Sequence, residues 1–190
     1  MSRALLTSCA AVLLLAPVAA LAGTGKLQVH SRNSGVLDAS GYTKVRTSTD
    51  SLSFEMPCQY NEMSFADAPR GSNGSPYTTS ALIVICAEPM RGAADAMMTQ
   101  TAYDTGAAGA DFFFDQQQRD DSKAGTVELR SYRGDRALLS SVRREGRCQW
   151  KLLVRHGDRL VAMNYFAASA DCASTRMDAD RFLFSLEFAE

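Results

Sequence analysis

VELRSYRGDRALLSSVRREGRCQWKLLVRHGDRLVAMNYFAA, residues 127–168, carries the strongest local pattern in this 190-residue chain. Three turn signatures punctuate it: Arg133-Gly134-Asp135-Arg136, Arg144-Glu145-Gly146-Arg147 and His156-Gly157-Asp158-Arg159. A glycine beside Asp or Glu supplies the positive φ that a short hairpin link requires. Between the turns lie Val127 to Tyr132, Ala137 to Arg143, Cys148 to Arg155 and Leu160 to Ala168, each of strand length. In the third of these, Cys148, Trp150, Leu152 and Val154 alternate with Gln149, Lys151 and Arg155. That period of two puts one face on a core and leaves the other largely wet. The four segments predict an antiparallel four-strand meander.

Working outward, the period changes after Ala170. Thr175, Ala179, Phe182, Leu183 and Leu186 fall at helical spacing, so a C-terminal helix packs back on the sheet, capped by Asp171 or Ser174. A short extended Leu186-Glu187-Phe188 follows it. Toward the N-terminus, Leu52, Phe54 and Met56 alternate with polar residues in a strand that Pro57 ends. A first strand is expected within Tyr42 to Thr47 and another over Gln59 to Phe65. Residues 66–76 carry turn signals throughout. Ala81 to Cys86 is apolar on both faces, as a central strand buried on two sides would be. Residues 93–118 read as helical, broken near Thr105-Gly106. In the second piece Ala110, Phe113, Phe114 and Gln117 form one buried stripe flanked by Asp111 and Asp115. The sum is an α+β fold: one antiparallel sheet with helices packed against it, a single domain over 42–190 preceded by a flexible leader at 23–41.

Residues 1–22 read as a signal peptide, with Arg3, a short apolar core and an Ala20-Leu21-Ala22 cleavage site, too short for a membrane span. The expected location is therefore periplasmic or secreted. Beyond that segment the chain keeps Cys58, Cys86, Cys148 and Cys172, an even count that favours disulfides in an exported protein. Three connectivities exist. Cys58–Cys86 and Cys148–Cys172 are expected, because each pair flanks one local unit. No two of these cysteines have the spacing of a zinc site, so no metal and no cofactor is expected.

The element order has a further implication. An early strand ends in Phe54-Glu55-Met56-Pro57, strands and an acidic helical region follow, and a four-strand meander leads to Phe182-Leu183-Phe184-Ser185-Leu186-Glu187-Phe188. This resembles the PsbP-like fold of an extrinsic photosystem II subunit, a Ran-binding nuclear import factor and many small exported bacterial proteins. The resemblance covers residues 42–188. It implies a binding or assembly role rather than an enzyme, and no functional residue of the family carries over.

Catalytic chemistry is sparse in the sequence. His30 lies in the leader and His156 in a turn beside Asp158, so a His-based triad would need one of these two. Gly71-Ser72-Asn73-Gly74 and Gly106-Ala107-Ala108-Gly109 lack the lysine of a phosphate loop. Asp111, Asp115, Asp120 and Asp121 read as a solvated helix face rather than a cation site. Charge distribution is the feature that stands out. Residues 50–121 carry eleven acids against three bases, whereas residues 130–159 carry nine bases against three acids, and eight of the nine are arginine. Arginine favours bidentate recognition of carboxylates. Two readings are open. In one, the arginines pair with the protein's own acidic helices. In the other, Arg143, Arg144, Arg147, Lys151 and Arg155 dock an acidic protein partner, as an immunity or inhibitor protein would. Too few aromatics interleave the basic run for nucleic acid. The remaining alternatives are a small hydrolase using carboxylates or His156, and a carrier holding a small apolar ligand between a Phe-bearing helix and the sheet.

Overall fold

Alternation between buried and exposed side chains sets the architecture, because a strand can cover a core with every second residue. The computed structural model describes residues 26–49, 51–66, 78–88, 90, 94–144, 146–167 and 172–189, with Arg144 described in its backbone alone. The expected signal peptide, the loop after Ala66 and the Asp171 cap lie outside these residues. Six strands come first: β1 (Lys26–Ser34), β2 (Thr43–Arg46), β3 (Leu52–Met56), β4 (Tyr60–Ala66), β5 (Thr78–Cys86) and β6 (Asp95–Tyr103). Helix α1 (Ala107–Ala124) runs directly into β7 (Gly125–Tyr132), followed by β8 (Asp135–Arg144), β9 (Arg147–His156) and β10 (Arg159–Ala167). A 3-10 turn (Cys172–Thr175) leads into α2 (Arg176–Phe184), and β11 (Glu187–Phe188) ends the described chain.

These strands build an eight-stranded antiparallel sheet of order β1-β4-β5-β6-β10-β9-β8-β7 and a three-stranded sheet of order β11-β3-β2. One face of the large sheet contributes Leu82, Val84, Met98, Leu152, Val161 and Met163 to the main core. The small sheet and α2 close that core with Leu52, Phe54, Met56, Phe182, Leu183 and Leu186. Phe182 is fully buried and meets Phe54 edge-on at 6.4 Å between ring centroids. On the opposite face, α1 packs Ala110 and Phe114 against Leu138, Leu153 and Leu160. The fold is thus α+β and mostly antiparallel.

The N-cap of α2 is Thr175 and not the expected Ser174, which lies within the 3-10 turn. Two strands also depart from the sequence reading. Residues 95–103, expected as the first piece of a helix, form β6, a central strand held between β5 and β10. Ala96, Met98 and Gln100 are buried in alternation, and sheet pairing on both sides outweighs the helix propensity of an Ala- and Met-rich segment. Residues 26–34, expected within the flexible leader, form edge strand β1, because Leu27 and Val29 pair with Phe65 and Met63 of β4. Polar composition hid that strand, since an edge needs only a few apolar contacts.

All four cysteines are bridged, Cys58 to Cys86 and Cys148 to Cys172. The second bridge forms where Cys148 opens β9 opposite Ala167, at the end of β10. A cross-link spanning 24 residues restricts the unfolded chain by roughly 3 kcal/mol. The double variant Cys148→Ala/Cys172→Ala should lose about that much unfolding free energy, seen as a lower urea midpoint with a slope no smaller than before, because the freed unfolded chain exposes more surface. An unchanged midpoint would show that the bridge adds nothing to stability.

Candidate functional site

Helix α1 lies over the sheet face that the alternation in β9 leaves to water, and it meets the basic residues there with its own acids. Ala110, Phe114, Gln117 and Asp121 fall at i, i+4, i+7 and i+11, so Asp121 continues the buried stripe. It is buried, not part of a solvated helix end. Across from it, Lys151 on β9 is also buried, and its Nζ lies 2.6 Å from Asp121 Oδ2. Ser140 Oγ donates to Asp121 Oδ2 at 2.8 Å, and Gln117 Nε2 donates to Oδ1 at 2.8 Å. The carboxylate therefore meets an ammonium, a hydroxyl and an amide, which is what keeps a buried charge tolerable. Burial pushes the Lys151 ammonium below its ordinary pKa, and the Asp121 carboxylate opposes that shift.

Two more accessible ion pairs flank this buried one. Arg155 donates from Nε and a terminal nitrogen to the two oxygens of Asp111, at 2.9 and 3.1 Å. Arg136 pairs with Asp115 at 2.8 Å, and its guanidinium lies 4.3 Å from the ring centroid of Phe114. Lys151 and Arg155, two of the five residues assigned to a docking face, are therefore turned onto the protein's own helix. Lys151 in particular is enclosed beneath α1 and presents no surface to a partner.

The other three lie together at the β8–β9 hairpin tip. Arg143 is exposed, stands opposite Cys148, and forms no ion pair among the described residues. Arg144 pairs with Arg147 across the turn in the strand register. The Arg147 side chain is half-buried, with its guanidinium 5.9 Å from the Phe166 ring centroid. Burial raises the nearby Asp95 carboxyl above its usual pKa, while the Arg147 charge acts the other way.

His156 Nδ1 lies 2.6 Å from Asp135 Oδ2, not against Asp158, and its ring stacks on Phe188 with centroids 3.9 Å apart. Two open grooves are present elsewhere. One, of about 590 Å³, is lined by Leu37, Tyr42, Gln59, Met90, Tyr165 and Asp178 beside the Cys58–Cys86 bridge. Burial pushes the Tyr165 phenol up to about 12. The other, of about 500 Å³, is lined by charges that already meet, Arg181 with Glu55 at 2.8 Å and Arg133 with Glu187 at 3.4 Å. Neither groove is lined by His156 or by the hairpin-tip arginines.

No family model matches the chain, and no curated protein matches it. Solved structures do. The chain is similar to cyanobacterial PsbP from Synechocystis sp. PCC 6803 at 12% identity and a TM-score of 0.47, over 82% of this chain and 97% of that one. A protein from Bacteroides thetaiotaomicron VPI-5482 matches at 11% identity and a TM-score of 0.44, over 80% of this chain. The match spans about half (49%) of that protein's length. A Pseudomonas aeruginosa protein of unknown function matches at 15% identity and a TM-score of 0.34, over 72% and 90%. The likeness to the PsbP-like fold is one of fold and says nothing of activity.

The two neighbouring acids at the end of α1 separate a buried pair from an exposed one. Asp121→Ala strands the Lys151 ammonium and should cost about 3–5 kcal/mol of unfolding free energy. Asp120→Ala removes the exposed contact with Lys123 and a weak attraction on Lys151, and should cost under about 1 kcal/mol. Equal shifts in the urea midpoint would refute the assignment of Asp121 as the interior member.

Proposed function

We propose that the chain is an exported, disulfide-stabilised, non-catalytic binding protein that engages an acidic protein partner through the β8–β9 hairpin tip. Export is supported by the Arg3-led apolar segment ending at Ala20-Leu21-Ala22, and by two disulfides, which persist in oxidising compartments. A final strand order of β10-β9-β8-β7, each strand paired with its sequence neighbour, supports the four-strand meander.

The observation that carries the proposal is how the basic block divides. Arg136, Lys151 and Arg155 are held by Asp115, Asp121 and Asp111. Arg143 is left exposed beside the turn that it shares with Arg144 and Arg147. Arg143 presents exposed positive charge in a segment that holds two further arginines, and charge complementary to an acidic surface speeds encounter and selects partners. An immunity or inhibitor protein acting on a secreted enzyme is the class that this combination of size, location and charge fits.

One contact favours the hydrolase alternative, namely His156 held by Asp135 in the manner of an oriented base. Against it stand Phe188 stacked on the imidazole and the absence of His156 from either groove. The apolar-carrier alternative is opposed by Phe114 and Phe182, which are fully buried and fill the space beneath their helices.

Affinity capture from native envelope extract tests the reading, with the oxidised protein lacking residues 1–22 as bait. The expected result is one stoichiometric protein that elutes with rising salt and is not retained by an Arg143→Glu/Arg144→Glu bait of unchanged melting temperature. Equal retention by both baits, or no retained protein, would overturn the proposal.

A further inference from the structure

The large sheet has two free edges, β1 and β7, and they differ in kind. Strand β1 is irregular, with register shifts between Val29 and Ser31 and between Ser31 and Ser34. It carries Lys26, His30 and Arg32 and no acid. Bulges and like charges are how sheet edges are protected from pairing. Strand β7 has neither protection. Its residues Gly125 to Tyr132 pair with β8 in unbroken register, it contains no proline, and Leu129 on it is 52% exposed.

The charges of β7 are arranged about Leu129. Glu128 and Arg130 lie on either side of it and point to the same face, opposite to that of Leu129. An antiparallel pairing of β7 with its own copy about a twofold axis at Leu129 places Glu128 opposite Arg130 of the second chain, and Arg130 opposite Glu128. The two Leu129 side chains then meet on the other face, and Val127 faces Ser131. Shifting the axis to residue 128 or 130 sets Glu against Glu or Arg against Arg. Axes at residue 127 or 131 leave both charges without a complement. Only the Leu129 register satisfies all three side chains, and opposite charges across a strand pair are stabilising where like charges repel. We propose that β7 is a homodimer interface, in which a second copy of this chain adds its β7 antiparallel about Leu129 and the two eight-stranded sheets become one.

Glu128 and Arg130 form an intrastrand contact of 3.4 Å, both still partly exposed, so each can exchange its partner for that of the second copy. Isologous contact of this kind closes at two chains and leaves no growing end at β7, because the same edge serves both copies. The β1 edges remain outermost in the dimer, where their bulges and basic residues resist further addition.

Charge reversal tests the register, with sedimentation equilibrium of the oxidised protein as the readout. The wild-type protein should sediment at twice the monomer mass. Glu128→Arg places arginine against arginine, and Arg130→Glu places glutamate against glutamate, so each single variant should sediment as a monomer. An equimolar mixture of the two single variants should recover the twofold mass, because each supplies the charge that the other lacks. The double variant Glu128→Arg/Arg130→Glu should recover it as well, which separates loss of pairing from loss of folding. A monomeric wild-type protein at every concentration tried, or a dimer that either single reversal leaves intact, would overturn the proposal.

Discussion

A lysine can occupy the middle of a sheet only if an acid reaches it, and the contact between Lys151 and Asp121 is the constraint on which the layering of this protein depends. Lys151 lies on a row of cross-strand neighbours that runs from Ile85 through Met97, Asn164 and Ser140 to Val127. Asp121 meets it from a helix that enters β7 without an intervening loop. The helix is thus fixed at one end by the chain itself, along its length by Phe114, and at the sheet by a charge that would otherwise be buried alone. Moving β9 by one residue would carry Lys151 into the main core and Trp150 under the helix, so the pair also guards the register. Gly125 contributes to the same junction. A Cβ there would come within 2.2 Å of the Ser141 carbonyl oxygen, which leaves glycine as the residue that lets helix and strand meet so abruptly.

That constraint explains which half of the basic block remains for an outside partner. A helix carrying Asp111, Asp115 and Asp121 pairs with Arg155, Arg136 and Lys151, and among the described residues none of its acids forms an ion pair with Arg143. The sheet row beyond Lys151 leads to Cys148, Arg147 and Arg143 on one side and to Cys86 on the other. Both disulfides consequently lie at the same end of the sheet as the exposed Arg143. Cys58–Cys86 ties the β3–β4 link to the end of β5, and Cys148–Cys172 ties the start of β9 to the turn entering α2. The end that presents the charge is the end that is covalently fixed, so a partner meeting it would order little additional chain.

Much of this was legible in the residues because local chemistry and tertiary demand agree. Gly134, Gly146 and Gly157 all adopt positive φ, the conformation for which their turn sequences select them. Ala179, Phe182, Leu183 and Leu186 show a helical period and are fully buried. Cys58, Cys86, Cys148 and Cys172 pair within local units because each unit returns its ends to one place. Where the reading failed, long-range pairing decided the structure. Asp95 to Tyr103 has the composition of a helix, and only the strands on either side make it a strand. Lys26 to Ser34 has the composition of a leader, and only β4 makes it an edge. Alternation places Lys151 on the face away from the core, yet alternation does not say which face a distant helix will cover. One signal did point to that burial: Asp121 stands at i+11 from Ala110 on an apolar stripe, where an acid needs a cation facing it.

The same distinction between faces and edges governs what the molecule can bind. Over β6 to β10 both faces of the large sheet are occupied, by α1 on one side and by α2 with the small sheet on the other, and an end and an edge of the sheet stay open beside them. An end made of arginine at a rigid tip suits a partner of opposite charge and unlike shape. An edge whose charges alternate about a leucine suits a copy of itself, because a twofold axis turns an alternating pattern into a complementary one. The two surfaces lie apart, one at the β8–β9 turn and the other along β7, and β8 separates them. Self-association would therefore leave the tip free and present it twice, and a dimer holding two such tips could engage a repeated acidic surface with a gain in avidity that neither tip has alone.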